Sequence, residues 1–488
     1  MYRVAVILGC CVLSTWSAPG CRSPRCASIT QNCASITQNE LPADRESPHV
    51  SVLQDSPTPA KLSSFSNKRP PIEKSLRDIP TVQHTPLPQR PSETSLTLKD
   101  LEQIAFENNP TLAAAAARIE AAFGRKVQAS LYPNPVLGYH GTQIGLQGTN
   151  GQQGGFVRQE LITGGKLKLD QAIAGKETEV AHFQFHAQEQ RILSDVRIRF
   201  YEVLIAERQL ELTQDLAEIG GELVSATEML LTGQLGTEQE LLQAQIRSEE
   251  SQLLQENAQN QRSEAQQRLA TVIGVPLSTT FLLEGTPDKN LPSWDWETAQ
   301  AQIFEGNPEL MAARAAVSRT RMALQRARRE PIPNFDLSLS LRHNSITQED
   351  VANVQVGIPI PIFNKNQGTI RHMAADYQVA QEEVRRIELA LKDRLSVTYR
   401  RYQNALHQVK RYREKIVPKA RASMKFVMDG YQEGQIDYLT LLTAQQTYVE
   451  VALSSLASLR ELRTTAAAIE GQLLTGSLYQ KTVEKAFH

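Results

Sequence analysis

From Asn366 to Asp429 the chain carries one glycine, Gly368, and no proline before Pro418. Apolar residues recur along it in steps of seven: Ile370, Tyr377, Val384 and Leu391, then Leu395, Tyr402, Val409 and Ile416. That is the spacing of a packed helical seam, with a four-residue stutter between Leu391 and Leu395. One helix over 366–429 is about 95 Å long at 1.5 Å per residue. Helices of compact domains usually stay under about 20 residues, so the chain must build something elongated. Lys166 to Leu231 forms a second stretch of the same kind.

Composition narrows the class. The 52 basic and 53 acidic residues nearly cancel, so no global field points to nucleic acid. No run of eighteen apolar residues occurs beyond the extreme N-terminus, which excludes a bundle of transmembrane helices. All five cysteines lie in the first 33 residues. The remainder therefore has no disulfide, no thiolate metal site and no cysteine nucleophile.

Residues 1–20 read as an export signal, with Arg3 before the apolar segment Val4–Leu13 and small residues at Ser17, Ala18 and Gly20. Cys21 follows Ala18-Pro19-Gly20 and is a candidate for lipid modification; simple cleavage near the same place is the alternative. A seven-residue tandem copy begins at Cys26 and Cys33 and reads as a slip in an unfolded tail. Residues 21–95 form a Pro/Ser-rich leader, expected to be disordered because it has too few apolar residues to offset its ordering entropy.

A folded region is expected from Leu96. A short amphipathic helix from Leu98 is broken at Asn109-Pro110, and an alanine-rich helix from Thr111 to Ser130 follows. Strands are expected at 136–142 and 155–161, a long helix at 166–231, and a return helix at 238–273. The plan then repeats. Asn307-Pro308 follows Asn109-Pro110 after 198 residues, Pro333-Asn334 follows Pro133-Asn134 after 200, and Ala444-Gln445 follows Ala244-Gln245 after 200. Anchors at nearly one offset mark a duplication, with repeats at 96–290 and 291–476 and a tail at 477–488. The second repeat places strands at 334–342 and 353–361, a long helix at 366–429 and a return helix at 436–474.

Strict alternation marks the second strand pair. Phe335, Leu337, Leu339 and Leu341 share one face, with Asp336, Ser338, Ser340 and Arg342 on the other, and Val354, Val356, Ile358 and Ile360 continue the pattern. Such a strand suits a soluble sheet over a core or a barrel wall between lipid and water. The long helices leave the sheet behind, so none is positioned to cover it. Four strands cannot close a barrel, which needs about eight, and open edges in hydrocarbon are costly. Several chains would then share one barrel, and their long helices would extend the conduit.

The duplicated plan, Tyr132-Pro-Asn-Pro135, Gly164-Gly165-Lys166 and Gly430-Tyr431-Gln-Glu-Gly434-Gln-Ile-Asp437 leading to Ala444-Gln445 resemble the TolC family of outer-membrane efflux factors over residues 96–475. The Gly-Lys helix start is also similar to the heavy-metal (CzcC-type) branch. The resemblance implies a mainly α chain with a small membrane β-barrel contribution, assembling as a homotrimer. Its twelve-stranded barrel would sit in outer-membrane lipid, continuous with a helical tunnel across the periplasm. It implies docking to a periplasmic adaptor and an inner-membrane pump at the helix reversals, here Gly233, Gly236 and Thr237 and Gly430, Gly434 and Asp437. Where the best-known member has two entrance aspartates, this chain has Thr440 and Thr443, with Glu240 and Gln243 in the first repeat. A strongly anionic ring is therefore not expected.

His182 and His186 stand one helical turn apart but lack a third ligand, and the arginines at 319, 321, 326, 328 and 329 read as a solvated face near the membrane boundary. No nucleophile elbow, phosphate loop or metal-ligand motif occurs, so no catalytic, cofactor or metal site is expected. The competing reading is a soluble periplasmic coiled-coil scaffold. It accounts for the helices and the export signal but leaves the apolar strand faces unexplained.

Overall fold

The computed structural model describes residues 95–478 except Thr149, Leu235, Ser278, Thr280 and Phe281. The export signal, Cys21, nearly all of the leader and the tail beyond Leu478 lie outside the described residues. The elements run α1 (Leu98–Asn108), α2 (Pro110–Ser130), β1 (Val136–Thr142), β2 (Gln152–Leu161), α3 (Lys166–Thr232) and α4 (Glu238–Ile273). The second half follows the same order: α5 (Trp296–Gly306), α6 (Pro308–Arg329), β3 (Phe335–Asn344), β4 (Glu349–Gly357), α7 (Gln367–Arg411), α8 (Val417–Gln432) and α9 (Tyr438–Glu470). Among the described residues no helix is long and apolar enough to cross a membrane.

Asn109 and Asn307 do more than break helices. Each accepts amide hydrogens at the start of the next helix, Asn109 from Thr111 at 3.0 Å and Asn307 from Glu309 at 2.9 Å. Each also donates to the end of its repeat's return path, Asn109 to the Val272 carbonyl at 2.8 Å and Asn307 to that of Gln472 at 3.0 Å. Both side chains are buried. The proline behind each sits in the first turn, where its missing N–H costs nothing.

The second long helix is not one α-helix. A five-residue π turn, Tyr412–Ile416, separates α7 from α8, with Pro418 in the first turn of α8. Proline cannot donate to the carbonyl four residues back and its ring crowds that carbonyl, and a π turn relieves both problems. The seam is tightest at its middle, where Leu391, Leu395, Tyr402 and Val409 are buried. It loosens at the π turn, where Ile416 is exposed.

Three apolar clusters hold the helices. One joins α1, α3 and α4 around Leu101, Ile192, Val196 and Leu269. A second joins α5, α6, α7 and α9 around Ile303, Leu310, Leu395 and Leu462. A third lies at the reversals, with Leu223, Ala244, Met424, Val427 and Leu441. Around the second, Tyr402 is fully buried, its hydroxyl donating to Pro292 O at 2.8 Å and accepting from Trp294 N at 2.9 Å. Burial pushes its pKa up. Arg463 donates to the carbonyls of Pro287, Lys289 and Asn290 and lies over the Tyr201 ring. These contacts tie the segment between the repeats to the long helices.

Candidate channel wall and helix tips

The four strands form one antiparallel sheet in the order β1-β2-β3-β4. Directly opposed residues share a face, so the register sorts the side chains. Leu137, Val157, Leu339 and Val354 stand in one row across all four strands, and Tyr139, Gly155, Leu341 and Ala352 in the next. Leu337 faces Val356, and Leu161 faces Phe335. This apolar face is uncovered: Leu137 is 80% exposed, Val354 69% and Leu339 49%. It stops at the β3–β4 hairpin, where His343 Nδ1 and Asp350 Oδ1 lie 2.8 Å apart on the same face.

The opposite face carries Asp336, Ser338, Ser340 and Arg342 beside Arg158, Glu160, Asn353 and Gln355. One aromatic interrupts it. Phe156 pairs with Gly138, and its ring occupies the space a β-carbon at Gly138 would need. A glycine inside an otherwise alternating strand was the signal for such a close approach.

Strand limits differ from the sequence expectation in three strands, of which β3 runs on to Asn344, two residues past 342. β4 spans Glu349–Gly357 and not 353–361, so Ile358 and Ile360 lie beyond it, although both are exposed. Pro359 and Pro361 provide the reason, since neither can donate to a ladder. β2 begins at Gln152, three residues earlier than expected. No strand pairs with the outer edges of β1 and β4 among the described residues.

At the far ends of the long helices lie the two reversals. In the first, Gly233 N bonds Met229 O at 3.0 Å and Gly236 N bonds Leu230 O at 3.1 Å. Thr237 and Glu240 then form a capping box, with Glu240 Oε2 accepting from Thr237 N at 2.9 Å. In the second, Gln435 N and Ile436 N both bond Gly430 O, and Gly434 holds φ +73°. A side chain on Gly430 would strike Ile436. Asp437 caps α9, accepting from the Thr440 amide at 3.1 Å and its hydroxyl at 2.6 Å. Those two bonds hold the Asp437 carboxyl below the usual aspartate range. Glu240 and Thr440 are thus engaged in caps. Gln243 is half-buried and Thr443 is exposed, its hydroxyl bonded to Leu439 O at 2.8 Å.

Beneath the second reversal the rings of Tyr431 and Tyr438 meet at 5.9 Å. Both hydroxyls and Gln445 Oε1 are buried without a hydrogen-bond partner among the described residues. Burial pushes the Tyr438 pKa up. This pair was missed in the sequence, where the two tyrosines read only as part of the turn. His182 is exposed and His186 bonds Glu189 at 2.6 Å on the same helix. Among the described residues no group of three His, Cys, Asp or Glu side chains is placed to hold a metal.

The model of the family described as "Outer membrane efflux protein" matches residues 101–275 and 300–473. The chain belongs to that family. It is an outer-membrane efflux protein. The efflux protein is 24% identical to the cobalt-zinc-cadmium resistance protein CzcC of Cupriavidus metallidurans, over 79% of this chain and 91% of that one. In fold it resembles the outer-membrane channel OprN, with a TM-score of 0.63 at 20% identity over 78% of this chain and 90% of that one. It also resembles CusC, with a TM-score of 0.62 at 18% identity over 80% and 96%. The open-state MtrE outer membrane channel of Neisseria gonorrhoeae gives 0.63 at 18% over 78% and 89%.

Proposed function

We propose that three copies of this chain join their sheets into one twelve-stranded barrel and act as a passive conduit. The observation that carries this is the open four-stranded sheet, apolar on one face and polar on the other, with that apolar face uncovered and both edges unpaired among the described residues. In hydrocarbon each unpaired backbone group costs several kcal/mol, so the edges must meet other strands. Pairing β1 of one copy with β4 of the next satisfies both. Phe335, Leu337, Leu339, Leu341, Val354 and Val356 then face lipid, with Ile358 at the rim. Asp336, Ser338, Ser340 and Arg342 line water. A soluble scaffold would leave that apolar face without a role.

The reversals around Gly233, Gly236 and Thr237 and around Gly430, Gly434 and Asp437 meet a periplasmic adaptor, through which an inner-membrane pump delivers cargo. Glu240, Gln243, Thr440 and Thr443 lie at the tunnel entrance. Glu240 and Asp437 supply carboxylates there, both engaged in helix caps, so any anionic ring comes from these two positions and not from Thr440 and Thr443. The cargo is divalent metal ions, a reading supported by the likeness to a cobalt-zinc-cadmium resistance protein.

Zinc tolerance tests both parts. Cells lacking the protein should become zinc-sensitive, and Gly434→Trp should leave them equally sensitive although the trimer reaches the membrane. A positive-φ glycine tolerates a bulky residue poorly, so membrane levels must be checked alongside. Normal tolerance with Gly434→Trp removes the docking assignment. Unchanged zinc tolerance in the deletion strain, with new sensitivity to organic dyes, removes the metal cargo.

A further inference from the structure

Where the sheet passes into the helices, Gly164, Gly165, Leu169, Gln325, Arg328 and Arg329 line a cleft of about 530 Å³. Its place in the chain fixes its level. Gly164 follows the end of β2 at Leu161, and Arg329 precedes the start of β3 at Phe335. The cleft therefore lies where the strands give way to the periplasmic helices. The arginines of this run differ sharply. Arg326 is committed to Asp170 at 2.8 Å and to Glu330. Arg328 and Arg329 are exposed and make no ion pair among the described residues.

Lys166, Asp170, Arg326 and Glu330 form one cluster on the α3–α6 seam, and Lys166 bonds Asn334, whose amide donates to Glu160 on the polar sheet face. The cleft is lined by neighbouring positions on the same two helices, Gly165 and Leu169 of α3 and Gln325 and Arg329 of α6, so it adjoins that cluster without sharing its residues. It is lined by the start of α3 and the end of α6, which continue the two inner strands β2 and β3, away from the β1 and β4 edges where neighbouring copies would pair. A second copy is therefore badly placed to neutralise these arginines.

We infer that Arg328 and Arg329 bind a phosphate group, that of a phospholipid in the periplasmic leaflet, with its acyl chains along the Leu161–Phe335 end of the apolar face. Guanidinium groups bind phosphate through charge-assisted, often paired hydrogen bonds, and basic pockets at membrane borders hold lipid headgroups in this way. The site rests on the barrel reading above.

The test is native mass spectrometry of the full-length protein in a maltoside detergent, with lipid added. Wild-type protein should retain phosphatidylglycerol about tenfold better than a diacylglycerol with the same chains, the difference being the phosphate contacts. Equal retention of the two overturns the inference, and needs no variant. R328Q/R329Q should lose the preference, R328K/R329K should keep part of it, and Arg321→Gln, outside the cleft, should leave it unchanged. A preference undiminished in R328Q/R329Q also overturns the inference. Displacement of the lipid by excess inorganic phosphate would support the anion site but assign it to free phosphate; retention supports the lipid. A protein that stays soluble without detergent would instead overturn the barrel reading.

Discussion

Arginine at position 339 is expected to block assembly, and arginine at position 340 to be tolerated. Leu339 stands in the row that runs Leu137, Val157, Leu339, Val354 across the sheet, two residues inside the hairpin-side end of the apolar band at Leu341. Arginine on a lipid face near the midplane costs about 2–4 kcal/mol per copy. In a trimer that becomes about 6–12 kcal/mol, comparable with the whole stability of a typical domain, about 5–15 kcal/mol. Ser340 points to the opposite face, among Phe156 and Asn353. Arginine there stays hydrated in the proposed lumen, and such surface changes are usually within about 0.5 kcal/mol. The assay is the amount of trimer in washed outer membranes and its urea midpoint in liposomes. Equal tolerance of both substitutions, or greater damage from Ser340→Arg, would refute the assignment of faces.

Two further outcomes follow from the helices. Tyr402→Phe removes the partner of both Pro292 O and Trp294 N, and should lower stability by about 1–3 kcal/mol; an unchanged urea midpoint would show that the inter-repeat segment is held by other contacts. Asp437 has a lowered pKa, so its cap is fully present above the ordinary aspartate range and is lost only as pH falls through the lowered value. Asp437→Ala should therefore speed amide exchange at Thr440 at neutral pH, while Asp437→Asn, which keeps an acceptor, should slow it again. Exchange equal in the wild type and Asp437→Ala would contradict the cap.

Local pattern explains why some parts were legible in the sequence. The face of β3 can be read from Phe335 to Arg342 because side-chain direction alternates every residue, whatever the strand later meets. The helix starts at Asn109 and Asn307 were equally visible, as Asn-Pro pairs. The ends of β4 were harder, because the apolar alternation runs through Ile358 and Ile360 while Pro359 and Pro361 remove the ladder donors. Alternation is weaker information there than the missing N–H. Family resemblance alone points Glu240 to the tunnel entrance, whereas Thr237-Glu-Gln-Glu240 is locally a capping-box pattern. Other features depend on partners distant in the chain. Arg463 reaches carbonyls 173 and 176 residues away, and the phosphate cleft joins Gly165 to Arg328. Nothing in either local sequence names the other side.

The shared barrel is tested most directly by the mass of the particle extracted from membranes, with bound detergent subtracted. A chain of 54.3 kDa, less its export signal, predicts a closed three-fold assembly of about 160 kDa that requires detergent. A monomer or dimer that remains in solution without detergent would contradict the barrel and favour the periplasmic scaffold.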